Sequence, residues 1–266
     1  MKQLSPLPRL KRPEPSRLAG LALSLAAFAA LVTLYAFALI RTGAVEASAG
    51  FGAFMSGLAL ALLAIPVALA AMAVVWRTGR KGGVRATFAI LIALAILGGP
   101  AYVAAANGLA VTALTEASTD LVDPPRFDRA RADRGKSDLP LPGAIAADEA
   151  EKLRAANPDL APLVLALSPS EVSNLALGLV EDRRWRTLGP TSYPRGGPPT
   201  GRIEAVARTT LLGLAEDVSI RIRPEGDGSR VDMRSASRVG PTDFGSNAAR
   251  IKSFLADLAS AANAAP

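Results

Sequence analysis

The chain contains no cysteine and no histidine in 266 residues. Without histidine there is no imidazole general base, no Ser-His-Asp or Cys-His nucleophile system, no histidine-held haem and no His/Cys zinc site. Any catalysis has to rest on Asp, Glu, Ser, Tyr, Arg or one of six lysines, which are set against 24 arginines. The missing cysteine fits a bacterial periplasmic domain that avoids unwanted oxidation. No cofactor and no metal site is expected.

Charge is also missing, from three long stretches. Residues 18 to 40, LAGLALSLAAFAALVTLYAFALI, hold none, and at about 1.5 Å per residue they cover the roughly 30 Å of a bilayer's hydrocarbon. Residues 51 to 76 are again uncharged and carry Pro66, a cause for a bend; residues 86 to 106 form a third run around Gly98, Gly99 and Pro100. Each predicts a transmembrane helix. The first run exceeds the 7 to 15 apolar residues of a signal peptide and two more follow, so it reads as an uncleaved anchor. No charged residue lies inside a span, which argues against a transporter or pump. Gly52, Ser56, Gly57 and Ala61 offer a small-residue contact face.

Cations flank these runs on one side. The tail has Lys2, Arg9, Lys11, Arg12 and Arg17, and the second connection has Arg77, Arg80, Lys81 and Arg85, against Arg41 alone in the first connection. This asymmetry predicts a cytoplasmic N-terminus in a bacterial inner membrane and a periplasmic C-terminal part. The net charge of +7 suggests nucleic acid only until it is partitioned. Residues 1 to 106 hold ten basic and two acidic groups, while residues 107 to 266 hold twenty and twenty-one. The excess is topological, and nucleic acid is excluded as a partner.

The expected organisation is a basic tail (1–17), three spans (18–106), an extended linker or strap (107–146) and a periplasmic α+β domain (147–266). In the last, AADEAEKLRAANPD predicts a surface helix stopped before Pro158. Ser168, Pro169 and Glu171 form a capping-box signature before Val172, Leu175, Ala176 and Leu179 at helical spacing. Strands follow near 185–188 and over 202–210, 217–224 and 229–237, giving an antiparallel sheet of about four strands packed by two helices. The hairpin register sets Arg223 opposite Arg230, Ile222 opposite Val231, Arg221 opposite Asp232 and Ile220 opposite Met233, with the charged side expected in solvent. A last helix is expected over 244–261, with Phe244, Ala248, Ile251, Leu255 and Leu258 as its apolar stripe.

The stretch RSASRVGPTDFGSNAARI (234–251) concentrates polar groups where strand turns to helix. In one reading Arg234, Ser237, Arg238, Asp243 and Asn247 pin that corner, with Asp243 or Thr242 as helix cap and an arginine paired to Asp243 or to the acidic linker. In the other, Arg234, Ser237, Arg238, Asp243, Asn247 and Arg250 surround a helix N-terminus as an anion site for a phosphate or carboxylate. A third reading pairs Asp217 and Asp243 as the two carboxylates of a hydrolase.

STDLVDPPRF (118–127), NPDLAPL (157–163), EAVARTT (204–210), EDVSIRIRP (216–224) and VDMRSASRVGPTDFGSNAARIKSFL (231–255) together resemble domain-of-unknown-function family 1499 over residues 118 to 258. The family pattern has an aromatic and a second aspartate where this chain has Leu214 and Glu216. The resemblance implies no established activity. The expected function is therefore non-enzymatic: a periplasmic domain that binds an anionic lipid, a cell-wall component or an envelope protein, or else scaffolds an envelope complex. The bilayer itself is the first partner.

Overall fold

The computed structural model describes residues 14–106, 114–189 and 201–264, so Lys2, Arg9, Lys11 and Arg12 of the basic tail lie outside the described residues. The chain divides into two compact units, one built from the apolar helices and one holding every described strand.

The helical unit is formed by α1 (Arg17–Thr42), α2 (Ala47–Thr78) and α3 (Gly83–Ala106), except for residues 37–51 at the α1–α2 junction and the end of α3 from Pro100, and each helix is long and apolar enough to cross a membrane. α2 continues through Pro66. Its interior is alanine: Ala19, Ala22, Ala26 and Ala29 of α1 cluster with Ala61, Ala64, Ala68 and Ala71 of α2 and with alanines of α3. The alternating steps of three and four are those of a helix seam, and small side chains let backbones approach closely. A Cβ at Gly57 would lie 2.2 Å from Thr33 Oγ1 and 3.0 Å from its backbone nitrogen. Of the four small residues singled out, Gly57 and Ala61 thus sit at contacts, whereas Ser56 is exposed and Gly52 has open space at its Cβ. Large apolar side chains such as Phe28, Leu31 and Leu62 point outward, the reverse of a water-soluble bundle. At one end of the unit, Pro15 pairs with Lys81: Ser16 donates its N–H to Lys81 at 2.7 Å, and Lys81 donates to Glu14 at 3.1 Å.

The second unit is an antiparallel sheet with layers on both faces. It runs through β1 (Glu116–Ser118), α4 (Ala130–Asp133), α5 (Ala147–Ala156), β2 (Leu163–Leu165), α6 (Pro169–Asp182), β3 (Arg186–Thr187), β4 (Gly201–Arg208), β5 (Ala215–Glu225), β6 (Gly228–Ser237) and α7 (Ser246–Ala264). The strand order is β1-β6-β5-β4-β3, and β2 also pairs with β6. The sheet has six strands, not four. The two additional ones share one edge of β6, with β2 along Ser229–Val231 and β1 along Arg234–Ala236. Neither EAS nor LVL is long enough to show a period of two; β6 recruits them.

The central hairpin has the expected register, including Ile222↔Val231, Arg221↔Asp232 and Ile220↔Met233. The apolar face of the sheet carries Ile203 of β4 with Val218, Ile220, Ile222, Val231 and Met233 of the hairpin against Val172, Ala176 and Val180 of α6 and Ile251, Phe254 and Leu258 of α7. Ser168 closes the capping box that starts α6. α7 begins at Ser246, two residues later than expected, because Phe244 (φ 51°) and Gly245 (φ 78°) are left-handed.

The opposite face corrects the expectation of a solvated surface. Residues 119–143 fold across it as a strap, so Asp232 is 0% exposed and Arg221 8%. Asp120, Asp123 and Asp232 bind Arg221, Arg223 and Arg230 there. Phe127 and Ala130 of the strap pack on Val206, Leu188 and Ala236.

Candidate functional site

The sheet end that carries the candidate residues has two polar clusters, one on each face. β6 alternates, so Ser235 and Ser237 face α7 while Arg234 faces the strap, and Arg238 follows at the strand end.

On the helix face Asn247 is fully buried and all four of its hydrogen-bonding positions are used. Its Nδ2 donates to Thr115 O at 3.1 Å and Ser237 Oγ at 3.0 Å, and its Oδ1 accepts from Ser235 Oγ at 2.7 Å and Arg250 at 3.1 Å. Glu216 anchors the cluster, accepting from Ser237 Oγ at 3.0 Å, from Ser246 Oγ at 2.8 Å and from Arg250 in a close ion pair. Asp243 caps α7: Gly245 N–H donates to Oδ1 at 2.8 Å and Asn247 N–H to Oδ2 at 3.1 Å. Burial raises the carboxyl pKa of Asp243 despite these bonds. Among the described residues no arginine pairs with it; of the two expected partners it is the acidic linker that takes an arginine, Arg238 on Asp133, while Arg250 pairs with Glu216.

On the strap face Arg234, 1% exposed, donates Nε to Glu116 at 2.6 Å and a terminal nitrogen to Gly143 O at 2.9 Å, with its guanidinium 5.3 Å from the Phe127 ring. Burial raises the Glu116 carboxyl, opposed by the Arg234 charge. Arg238 reaches Asp217 Oδ1 at 2.5 Å and Asp133 Oδ2 at 2.8 Å. Arg134 holds the other Asp217 oxygen at 2.7 Å. Arg186 forks onto both oxygens of Asp133 at 2.9 and 2.7 Å; that pair, helped by Arg238 against partial burial, lowers the Asp133 pKa to about 2.

All six candidates therefore lie at one end of the sheet but do not converge on one space. Ser237, Asn247 and Arg250 meet around Glu216; Arg234 is committed to Glu116 of β1 and Arg238 to Asp217 of β5 and Asp133 of the strap; Asp243 closes the helix. Asp217 and Asp243, the would-be hydrolase pair, belong to different clusters with different partners. Glu116, Asp133, Arg134 and Glu216 were missed in the sequence reading. For Glu216 a signal exists, since it falls in phase with Val218, Ile220 and Ile222 on the core face. Among the described residues no group of three or more carboxylates is arranged to hold a metal ion.

A family model described as "Protein of unknown function (DUF1499)" matches residues 116–258, more than half of the chain, from β1 through the strap and sheet into α7. The chain belongs to this family. The matched region begins at β1, whose Glu116 receives Arg234, so the family unit includes the strap and its ion pairs and leaves out the apolar helices. No curated protein matches the chain.

Proposed function

We propose that the chain is a non-enzymatic protein of the bacterial inner membrane, with its basic-flanked ends in the cytoplasm and its family domain in the periplasm. There the domain binds an anionic envelope ligand or a partner protein, or scaffolds an envelope complex. The observation that carries the binding reading is the commitment of the domain's buried carboxylates. Asp217 is bonded by two arginines and Asp243 by α7 amides, so neither is placed to exchange a proton with a substrate. A domain whose charges are tied internally is preorganised, which lowers the ordering cost of binding. The same ties support the corner reading of Arg234, Arg238 and Arg250, in which these residues hold the binding surface in shape.

The topology draws support from the Pro15–Lys81 pairing, which brings the start of α1 and the α2–α3 connection together at one end of the helical unit. The absence of cysteine makes a clean test. A single Ser260→Cys variant is expected to react with a membrane-impermeant maleimide in cells with a permeabilised outer membrane, and Thr78→Cys only after lysis. The reverse pattern removes the periplasmic placement. Native mass spectrometry of the full chain in non-ionic detergent is expected to show retained anionic lipid or a stoichiometric protein; a bare chain argues against binding.

A further inference from the structure

Five cations collect at one end of the helical unit: Arg17 at the start of α1, Arg77 in the last turn of α2, Arg80 and Lys81 in the connection that follows, and Arg85 in the first turn of α3. Main chain brings them together, through the Pro15–Lys81 pairing with Ser16 N–H on the Lys81 carbonyl and Lys81 N–H on that of Glu14. Small residues close the junction, because a Cβ at Gly82 would lie 2.8 Å from the Ala19 Cβ and 3.3 Å from that of Ser16. The charged side chains are thus left free of any part in holding the segments in place.

All five are exposed, and among the described residues none forms an ion pair or a side-chain hydrogen bond. The family domain is the opposite case, with Arg134, Arg221, Arg234 and Arg238 each bound to a buried carboxylate. Glu14 is the only carboxylate in residues 1–17 and 77–85, so the patch keeps a strong positive charge that nothing in the unit neutralises. It also borders an apolar surface. Trp76, one residue before Arg77, is 91% exposed, and Val84, one before Arg85, is 71% exposed; Leu21, Met72 and Phe88 are exposed no more than five residues from one of the cations. An indole between exposed hydrocarbon and charge is placed as at a membrane interface.

We infer that this end of the helical unit binds the headgroup phosphate of an anionic phospholipid, with the acyl chains along the exposed apolar side chains of the spans. Guanidinium forks suit phosphate oxygens, and basic residues directly beside a span attract anionic lipid. The apolar border selects an anion that carries hydrocarbon; a soluble phosphate or a nucleic acid would leave Trp76 and Val84 uncovered. The site lies apart from the ligand proposed for the family domain and holds whichever side of the membrane this end faces.

The test is native mass spectrometry of the full chain in non-ionic detergent, with phosphatidylglycerol and phosphatidylcholine of the same acyl chains added in turn. Arg80→Gln/Lys81→Gln removes two exposed cations with no partner to lose, so it is expected to melt as the wild type does. Lys136→Gln/Arg154→Gln removes the same charge from exposed positions of the family domain. Phosphatidylglycerol is expected to bind the wild type and the Lys136/Arg154 variant equally, ahead of phosphatidylcholine, and to bind the Arg80/Lys81 variant about thirty-fold more weakly, some five-fold for each cation. No preference for phosphatidylglycerol, or an equal loss in both double variants, overturns the site. Inorganic phosphate or a single-stranded oligonucleotide that binds more tightly than the lipid and is lost in the Arg80/Lys81 variant also overturns it, giving the patch to a soluble anion. Anionic lipid kept by that variant is bound elsewhere and counts toward the family-domain reading alone, so the two readings fail separately.

Discussion

Arg238 places Nε 3.1 Å and a terminal nitrogen 2.5 Å from the same oxygen of Asp217, a carboxylate with no exposed surface. Arg134 takes the second oxygen, so one aspartate ties β5 to the β6 end and to the strap. Breaking one partner of a buried pair strands the other, at about 3–5 kcal/mol. Asp217→Ala is expected to fall at the top of that range because it strands Arg134 as well, whereas Arg238→Ala leaves Asp217 with Arg134. The double variant Asp217→Leu/Arg238→Met is expected to cost less than the sum of its singles. Urea unfolding of the full chain in detergent measures all of them; additive losses would show that the pair is not coupled.

Acid stability has a sign that Asp133 sets. Its folded pKa of about 2 lies below the ordinary 3.8, principally through the Arg186 fork. Its contribution is therefore fully present above pH 4 and is lost as pH falls toward 2. Glu116 and Asp243 act the other way: burial raises their carboxyls, so acidification relieves a cost they impose at neutral pH. Arg186→Ala is expected to flatten the decline in melting temperature between about pH 4 and pH 2. An unchanged slope there would remove Asp133 as its source.

What the sequence made legible was local. The capping box at Ser168, the β5–β6 register and the apolar stripe of α7 rest on neighbours a few residues apart, and each appears in the structure except that Phe244, expected at the head of the stripe, precedes the helix and lies outside the core cluster. Phe254 is in the core although the stripe omitted it, because it stacks on Trp185 at 5.4 Å, about seventy residues away. By sequence alone residues 107–146 read as an extended linker or strap, because their Pro, Gly and charge density offers little apolar surface. The strap is held by charge instead, through pairs such as Arg238–Asp133, whose partners lie 105 positions apart. No periodicity reports such a pairing.

Glycines in the family domain separate contact from conformation. A Cβ at Gly228 would meet the Leu165 carbonyl oxygen at 2.2 Å, while at Gly178 of α6 it would meet nothing within 4 Å. Gly228→Ala is expected to lose about 1–3 kcal/mol by forcing β2 from β6. Gly178→Ala is expected to gain about 0.5–1 kcal/mol, since alanine restricts the unfolded chain and suits a helix interior. Hydrogen exchange at residues 163–165 distinguishes the cause: faster exchange is expected in the Gly228 variant alone.

The helical unit permits a matched comparison along one helix, between an exposed and a buried glycine of α2. A side chain at Gly57 would collide with Thr33, whose hydroxyl already donates to Ala29 O at 2.8 Å, and its Cβ would also press on the Thr33 backbone. Gly52, five residues earlier, has nothing within 4 Å of its Cβ. In a bilayer leucine is as well solvated at either place, so transfer energy cancels and only packing differs. Gly57→Leu is therefore expected to lower the melting temperature of the full chain in detergent and to expose α1 to proteolysis, with Gly52→Leu close to wild type. Equal effects of the two substitutions would mean that the α1–α2 seam is not the contact that holds the spans together.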